Sequence, residues 1–258
     1  MKLSVILPTI RLERLNSWFE RFTKSYTGEY EIIFISPYDY LPGEWSKKDA
    51  FWVRDWGSPV RCQQLGLLRC TGSLIHRAVD DSLYLPGELD KCVDIISQVG
   101  TEEQRDVVMN LRFTEGSGQT HRDMFAEEFY TFGYHWGAQT PYTPFNFQII
   151  NFGIYPREMI TSIGGWDCYF ETPAYAELDL SLRLQFLDNV VIMSPNTVLK
   201  CDWIPGDTGD HAPIHYGCQD DIGRFKDRYS TREYEDMLPI DINNWKNSPE
   251  RWERRFGK

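Results

Sequence analysis

Apolar runs and amphipathic stretches alternate along the first part of the chain. Residues 3–7 form a β-branched apolar run that ends at Pro8, and residues 31–35 form a second such run. Runs of this kind predict strands that are buried on both faces, as in a parallel sheet. The segment between them predicts an amphipathic helix. Its apolar residues at helical spacing are Leu12, Leu15, Trp18, Phe19 and Phe22.

The same alternation continues into a third strand. Residues 59–70 predict a helix, and residues 74–79 predict the strand that follows it. Pro86 is expected at the first position of the next helix, and residues 107–111 and 174–186 indicate a further strand and helix. Because strand, helix and strand in this order form right-handed crossovers, we expect an α/β fold with an open, mostly parallel, Rossmann-like sheet flanked by helices.

The length of the chain favours one domain with a peripheral tail. Its 258 residues can bury one sizeable core, and no Gly/Ser-rich or charge-rich linker divides them. We expect a domain at residues 1–216 and a polar, partly helical C-terminal extension at residues 217–258 that packs on it. Trp245 and Trp252 are the expected docking points of this extension.

Net charge, cysteine spacing and hydropathy limit the expected partners and cellular compartment. The 27 Lys and Arg against 38 Asp and Glu leave a net charge of −11, which opposes general attraction to nucleic acid or an anionic membrane. The six cysteines lack C-x-x-C spacing, which indicates free thiols in a reducing compartment. No segment approaches the ~18 apolar residues of a membrane span, and no leader is evident. We expect a soluble cytoplasmic protein.

The acidic pair Asp80-Asp81 is the strongest chemical signal in the sequence. It closes the third predicted strand, and ligands of open α/β sheets bind at the carboxyl ends of strands. Adjacent carboxylates repel each other, so the pair is costly unless a cation lies between it and an anionic ligand. The competing interpretation is a solvated turn or an N-cap for the helix expected at Pro86.

Four short motifs give the chain a family resemblance from residue 3 to about residue 183, with residues 101–148 unmatched. They are SVILPT at residues 4–9, DDS at residues 80–82, GGWD at residues 164–167 and ELDL at residues 177–180. In this order they resemble the inverting, nucleotide-sugar-dependent glycosyltransferases of family 2, whose fold is called GT-A. Two positions depart from the family: Glu177 replaces its usual Asp, and Ser36, with Asp39 nearby, follows the second strand where an acidic residue is common.

The resemblance implies a donor site and a metal. A UDP- or GDP-sugar would bind at the strand ends, with Mn²⁺ or Mg²⁺ held by Asp81 and by a late histidine, His211 ahead of His215. Arg61 is expected either to pair with phosphate or to lie on a helix surface. The expected donor-binding residues are Thr9, Arg11, Ser36, Asp39, Arg61 and Asp80.

The resemblance also implies an acceptor side, where a glycan or small acceptor would bind. Glu177 would be the general base, at an ordinary Glu pKa of ~4.3, and Asp179 a supporting residue. Alternatively, Asp179 simply pairs with Arg183 along one helix. The glycines at 164 and 165 are expected to need positive φ in any case. The residues expected to contact sugar or acceptor are Gly165, Trp166 and Asp167.

These expectations together predict a metal-dependent inverting glycosyltransferase with a single GT-A domain. Two alternatives remain open at this stage. The first is a protein of the same fold that binds nucleotide sugars or carbohydrates without turnover. The second is a nucleotidyltransferase, which normally needs a Gly-rich basic loop near the first strand.

Overall fold

The computed structural model describes most of the chain. It covers residues 1–39, 45, 49–103, 105–115, 129–130, 147–187, 190–201, 212–229 and 239–247. The strands are β1 (Leu3–Pro8), β2 (Tyr30–Ser36), β3 (Ala50–Arg54), β4 (Leu74–Arg77), β5 (Ser82–Tyr84), β6 (Val107–Glu115), β7 (Phe129–Tyr130), β8 (Phe147–Gln148), β9 (Gly153–Pro156) and β10 (Val190–Cys201). The helices are α1 (Leu15–Ser25), α2 (Pro59–Leu67), α3 (Glu88–Glu103), α4 (Arg157–Ser162), α5 (Pro173–Phe186) and α6 (Ala212–Tyr229).

Within the described residues, eight strands form one sheet in the order β3-β2-β1-β4-β9-β6-β10-β5, and β7 pairs separately with β8. Four pairings in the large sheet are parallel, namely β2 with β3, β1 with β2, β1 with β4, and β6 with β10. β9 runs antiparallel between β4 and β6, and β5 is antiparallel to β10. The expected α/β fold with an open, mostly parallel sheet flanked by helices is confirmed.

Some element boundaries differ from the sequence prediction. The edge strand β3 has no predicted counterpart: its apolar run covers only residues 50–53, and no residue of the strand is fully buried. The predicted helix start at Pro86 is wrong: Gly87 has a φ of 72°, and α3 begins at Glu88. A left-handed residue interrupts the helical backbone, so Pro86 stays outside the helix.

The two faces of the sheet are covered by different helices. Successive strand residues point to opposite faces, so Val5 and Ile6 of β1 belong to two separate apolar clusters. The cluster around Val5 includes Trp18 of α1 and Leu89 of α3. The cluster around Ile6 includes residues of α2, α5 and α6, among them Phe225.

A buried carboxylate ties the amino-terminal ends of three strands together. Glu31 of β2 accepts hydrogen bonds from Lys2 Nζ at 2.8 Å and from Ser4 Oγ at 2.5 Å. It also accepts from the backbone N–H and hydroxyl of Thr71, at 2.6 and 2.8 Å, in the turn before β4. These bonds lower the pKa of Glu31 to about 2, against the opposing effect of burial. The anchor holds β1, β2 and β4 in register, so their opposite ends lie together.

The C-terminal part of the chain packs closely on the rest. α6 runs across residue 216, where the sequence suggests a boundary, and that boundary stays a prediction. Phe225 and Tyr229 of α6 are buried in the core. Trp245 packs against the same core, as expected, while Trp252 lies outside the described residues. No helix in the described ranges has the length and apolar character needed to cross a membrane.

The cysteines agree with the expectation of free thiols. All cysteines whose side chains are described are buried and unbridged. They are Cys62, Cys70, Cys92, Cys168 and Cys201.

Candidate functional site

The acidic pair lies at the carboxyl edge of the sheet, directly after β4. Asp80 is 7 % exposed and meets two residues that follow β1. Thr9 Oγ1 donates to Asp80 Oδ2 at 2.8 Å, and Arg11 Nη1 contacts Asp80 Oδ1 at 2.5 Å. The backbone N–H of Arg11 also donates to Thr9 Oγ1 at 3.2 Å. The structure therefore brings Thr9, Arg11 and Asp80 together, because parallel neighbours β1 and β4 end at the same edge.

Asp81 occupies a different electrostatic position from its neighbour. Burial and the charge of Asp80 raise the pKa of Asp81 to about 6, while Arg11 and Arg77 oppose the shift. In the described part of the chain Asp81 forms no ion pair. A carboxylate whose charged form is disfavoured by its surroundings gains stability from a cation.

The alternative of a helix cap does not explain the acidic pair. α3 begins at Glu88, beyond Gly87, and the N–H of Leu89 donates to Ser25 Oγ at 3.1 Å. Neither aspartate is therefore adjacent to that helix end. Asp80 instead contacts Thr9 and Arg11, which follow β1, and the charges of Arg11 and Arg77 act on Asp81.

The residues present fit a magnesium-like ion only in part. Mg²⁺ is commonly held by one or two carboxylates and completed by substrate phosphates. Asp81 can supply one such oxygen, whereas both oxygens of Asp80 already have partners. Within the described ranges there is no group of three or more His, Cys, Asp or Glu side chains that could hold a metal ion. His211 lies outside the described residues.

Ser36 and Asp39 follow β2 at the same edge. Ser36 is fully buried, and its Oγ accepts from the N–H of Tyr38 at 3.4 Å. Asp39 is exposed and pairs with Arg54 at the end of β3. Both lie on the side of the sheet where Thr9 lies, as the strand-end argument predicts.

Arg61 at the start of α2 is held by its own neighbours. Its Nε and Nη2 contact the two carboxylate oxygens of Asp55 at 2.9 and 3.0 Å, and Nη1 donates to the carbonyl of Trp245 at 2.7 Å. The guanidinium also stacks 5.0 Å from the Trp245 ring. Neither of the two expectations for Arg61 describes this arrangement. Its guanidinium would have to leave these partners to pair with a phosphate.

Glu177 on α5 is buried, with only 2 % of its surface exposed. Its Oε1 accepts from Trp166 Nε1 at 3.2 Å and lies 3.2 Å from Arg77 Nε. Its Oε2 has no hydrogen-bond partner within the described part of the chain. Burial raises the pKa of Glu177 to about 7, and Arg77 and Trp166 oppose that rise. The expectation of an ordinary glutamate pKa is therefore wrong, because α5 places this carboxylate inside the core.

Asp179 joins α5 to α6. The predicted i,i+4 pair with Arg183 is present at 2.8 Å, and it is buried. Arg228 Nη1 and the hydroxyl of Tyr229, both on α6, donate to the other oxygen at 2.9 and 2.7 Å. Burial disfavours the charge of Asp179, but the charges of Arg183 and Arg228 and the hydrogen bond from Tyr229 lower its pKa. Its described contacts are those of a structural residue between two helices.

The GGWD turn packs against the protein itself. Gly164 and Gly165 have φ of 88° and 75°, as predicted. A Cβ on Gly164 would lie 2.2 Å from the carbonyl oxygen of Ile240, and a Cβ on Gly165 would lie 2.3 Å from Gln64 Oε1. Gly165 therefore lies close to Gln64, and its expected contact with a sugar or acceptor stays a prediction.

Trp166 and Asp167 are also engaged within the protein. The Trp166 ring has no exposed surface and lies edge-on to Tyr155, with centroids 6.1 Å apart. The expected contact of Trp166 with a sugar or acceptor would require this ring to leave the core. Asp167 pairs with Arg228 and accepts from the N–H of Tyr169 at 2.8 Å.

Sequence reasoning missed Arg77, the last residue of β4. It is 6 % exposed, contacts Glu177 and donates from Nη1 to the carbonyl of Asn151 at 2.9 Å. The available signal was a charged residue in an otherwise buried strand, four positions before Asp81. A buried charge normally has a partner of opposite charge.

Comparisons with solved structures identify the type of fold. No protein-family model matches the chain, and no curated protein is significantly similar to it in sequence. Among solved structures, S. aureus TarS 1-349 in complex with UDP has a TM-score of 0.58 at 13 % identity, covering 92 % of this chain and 74 % of the other. The complex of TarS 1-349 with UDP-GlcNAc has a TM-score of 0.58 at 14 % identity, covering 91 % and 69 %. The fold of this chain is therefore a single GT-A-like α/β domain.

Proposed function

We propose that this protein is a glycosyltransferase that moves a sugar from a nucleoside diphosphate, most simply UDP, to an acceptor hydroxyl of a glycan or small molecule. The observation that carries the proposal is the acidic pair at the carboxyl end of β4, next to Thr9 and Arg11. Support comes from the fold neighbours, which were solved with UDP and with UDP-GlcNAc. The edge that carries the pair is where open α/β sheets bind their ligands.

In this proposal the donor lies across the ends of β1 and β4. Arg11 carries a positive charge toward this edge and is shared between Asp80 and the incoming diphosphate. Asp81, which forms no ion pair in the described part of the chain, is assigned as the carboxylate ligand of Mn²⁺ or Mg²⁺. Such a cation, when bound, supplies Lewis-acid stabilisation of the negative charge that develops on the leaving diphosphate.

Glu177 is assigned as the general base. A base is most effective when its pKa lies near the working pH, and burial brings that of Glu177 to about 7. Its Oε2, which lacks a hydrogen-bond partner among the described residues, would take the proton of the acceptor hydroxyl. A single displacement with one base inverts the configuration at the anomeric carbon.

Thermal-shift measurements test the donor and the metal together. UDP and UDP-GlcNAc should raise the melting temperature in Mn²⁺, and a GDP-sugar should do so less. Ligand at 100 times its Kd stabilises a protein by about 2.7 kcal/mol. The variant Asp81→Asn should lose the Mn²⁺-dependent part of this shift, and Asp94→Asn, on the exposed face of α3, should keep it. Absence of any shift from these nucleotides in the wild type would contradict the proposal.

A second function is favoured by one observation. Glu177 is almost fully buried, which suits a protein that binds nucleotide sugars without turnover. The two functions differ in product formation: a transferase releases UDP from UDP-GlcNAc in the presence of acceptor sugars, and a binding protein does not. A thermal shift without UDP release across an acceptor panel would favour the binding protein.

A further inference from the structure

Arg77 connects the candidate donor edge to the candidate base. It is the last residue of β4, three residues before Asp80, and its charge acts on both Asp81 and Glu177. Its Nε lies 3.2 Å from Glu177 Oε1, and both side chains are more than nine-tenths buried. No other cationic side chain among the described residues forms an ion pair with Glu177.

The contacts of Arg77 fix the direction of its guanidinium. Nη1 donates to the carbonyl of Asn151 at 2.9 Å, and the guanidinium carbon lies 5.3 Å from the centre of the Phe152 ring. Asn151 and Phe152 directly precede β9, so Arg77 is held between the ends of two neighbouring strands. A planar guanidinium can satisfy such separate partners at fixed angles, whereas a lysine ammonium cannot reproduce that fork.

The pair between Arg77 and Glu177 leaves one buried polar atom of each group without a hydrogen bond from the described residues. Their 3.2 Å approach does not have hydrogen-bond alignment, and Arg77 Nε and Glu177 Oε2 both lack hydrogen-bond partners within the described part of the chain. Trp166 Nε1 holds the same Oε1 that faces Arg77. Both contacts therefore restrain one carboxylate oxygen, and the other keeps its lone pairs.

We propose that Arg77 is a positioning residue for sugar transfer: it restrains Glu177 through Oε1 and keeps Oε2 directed to the acceptor. This inference rests on the proposed glycosyltransferase function. As the acceptor oxygen bonds to the anomeric carbon, Oε2 receives its proton. The bond between that carbon and the diphosphate oxygen breaks, and its electron pair leaves with the diphosphate.

The ionisable groups that face Glu177 from the elements packed around it, within the described residues, are Arg77 on β4 and Tyr155 on β9. Burial raises the pKa of Tyr155 well above its ordinary value, so Tyr155 stays neutral near pH 7. Among the described residues, Arg77 is thus the charged group that lowers the pKa of Glu177 against the larger effect of burial. The indole N–H of Trp166 reports on this ionisation because it donates to the same carboxylate.

The first experiment follows that indole N–H by NMR and needs no turnover. Its resonance, assigned with Trp166→Phe, should titrate with a midpoint near pH 7 in the wild type and should not titrate in Glu177→Gln. In Arg77→Met the midpoint should move upwards by about 1 to 3 pH units, as expected when an opposite charge is removed at this distance. An unchanged midpoint in folded Arg77→Met would overturn the proposal.

The second experiment separates position from charge. Arg77→Lys keeps the positive charge but loses the planar guanidinium that contacts several partners at fixed angles. Its kcat for UDP release should therefore fall at least ~10-fold, while its Kd for UDP-GlcNAc stays within about twofold of the wild type. Wild-type kcat in Arg77→Lys would overturn the positioning role, and this variant decides the matter if Arg77→Met does not fold. Failure of the wild type to bind UDP-GlcNAc refutes the proposed function instead, and the NMR titration then still tests the contact between Arg77 and Glu177.

Discussion

The substitution Glu31→Gln tests whether one buried carboxylate aligns the strands that carry the site. Glu31 accepts charged and neutral hydrogen bonds from Lys2, Ser4 and Thr71, and these lower its pKa to about 2. Against a reference glutamate value of ~4.3, this difference corresponds to about 3 kcal/mol of folding free energy at pH 7. Because the folded pKa is the lower one, this stability is present above about pH 4.3 and is lost as the pH falls towards about 2.

Urea denaturation at several pH values measures this contribution. The free energy of unfolding of Glu31→Gln should be about 3 kcal/mol below that of the wild type at pH 7, and the gap should shrink by about half at pH 3. Glu20→Gln is the matched control, because the ion pair of Glu20 with Lys24 is exposed. Its stability should equal that of the wild type. A gap at pH 7 below about 0.5 kcal/mol, or one that does not change with pH, would refute the reasoning.

Three further predictions concern the acceptor side. Asp179→Asn should lower the free energy of unfolding, measured in urea, by about 3 to 5 kcal/mol, because it removes the carboxylate partner of the buried Arg183 and one of the two carboxylates that Arg228 contacts; a change below about 1 kcal/mol would exclude a structural role. Gly164→Ala should lower the melting temperature measured by calorimetry, with a loss above about 1 kcal/mol in the free energy of unfolding, because φ is positive and Ile240 fills the space. Gly223→Ala is the control: the position is helical and open, so the change should be neutral or stabilising. Glu177→Gln should retain the UDP-GlcNAc thermal shift and abolish UDP release, and normal turnover would remove Glu177 as the base.

The position of the site residues at the strand ends could be predicted from the sequence. Apolar runs predicted β1, β2 and β4, and the parallel order then required Thr9, Ser36 and Asp80 to lie at one edge. That part of the prediction used only periodicity and the rule for parallel crossovers, which hold for local segments. The contact between Thr9 and Asp80 follows from it directly.

The roles of single polar groups could be predicted less well from the sequence. The sequence pattern indicated an i,i+4 pair for Asp179, but the partners from α6 come from a segment about fifty residues away. The positive φ of Gly165 was predicted, but the second limit on a side chain there, the close approach of Gln64, comes from α2. Contacts of this range depend on how helices pack, and periodicity within one helix carries no information about them.

The sequence by itself determined the α/β class, the parallel β1, β2 and β4 unit and the position of the acidic pair, because these depend on local patterns and on the chirality of strand connections. Only the tertiary structure decided that Glu177 is buried beside Arg77, with a pKa raised to about 7 rather than left at its ordinary value. The physical reason is that a pKa depends on desolvation and on charges brought close by folding. Those two quantities exist only once α5 has packed against the sheet.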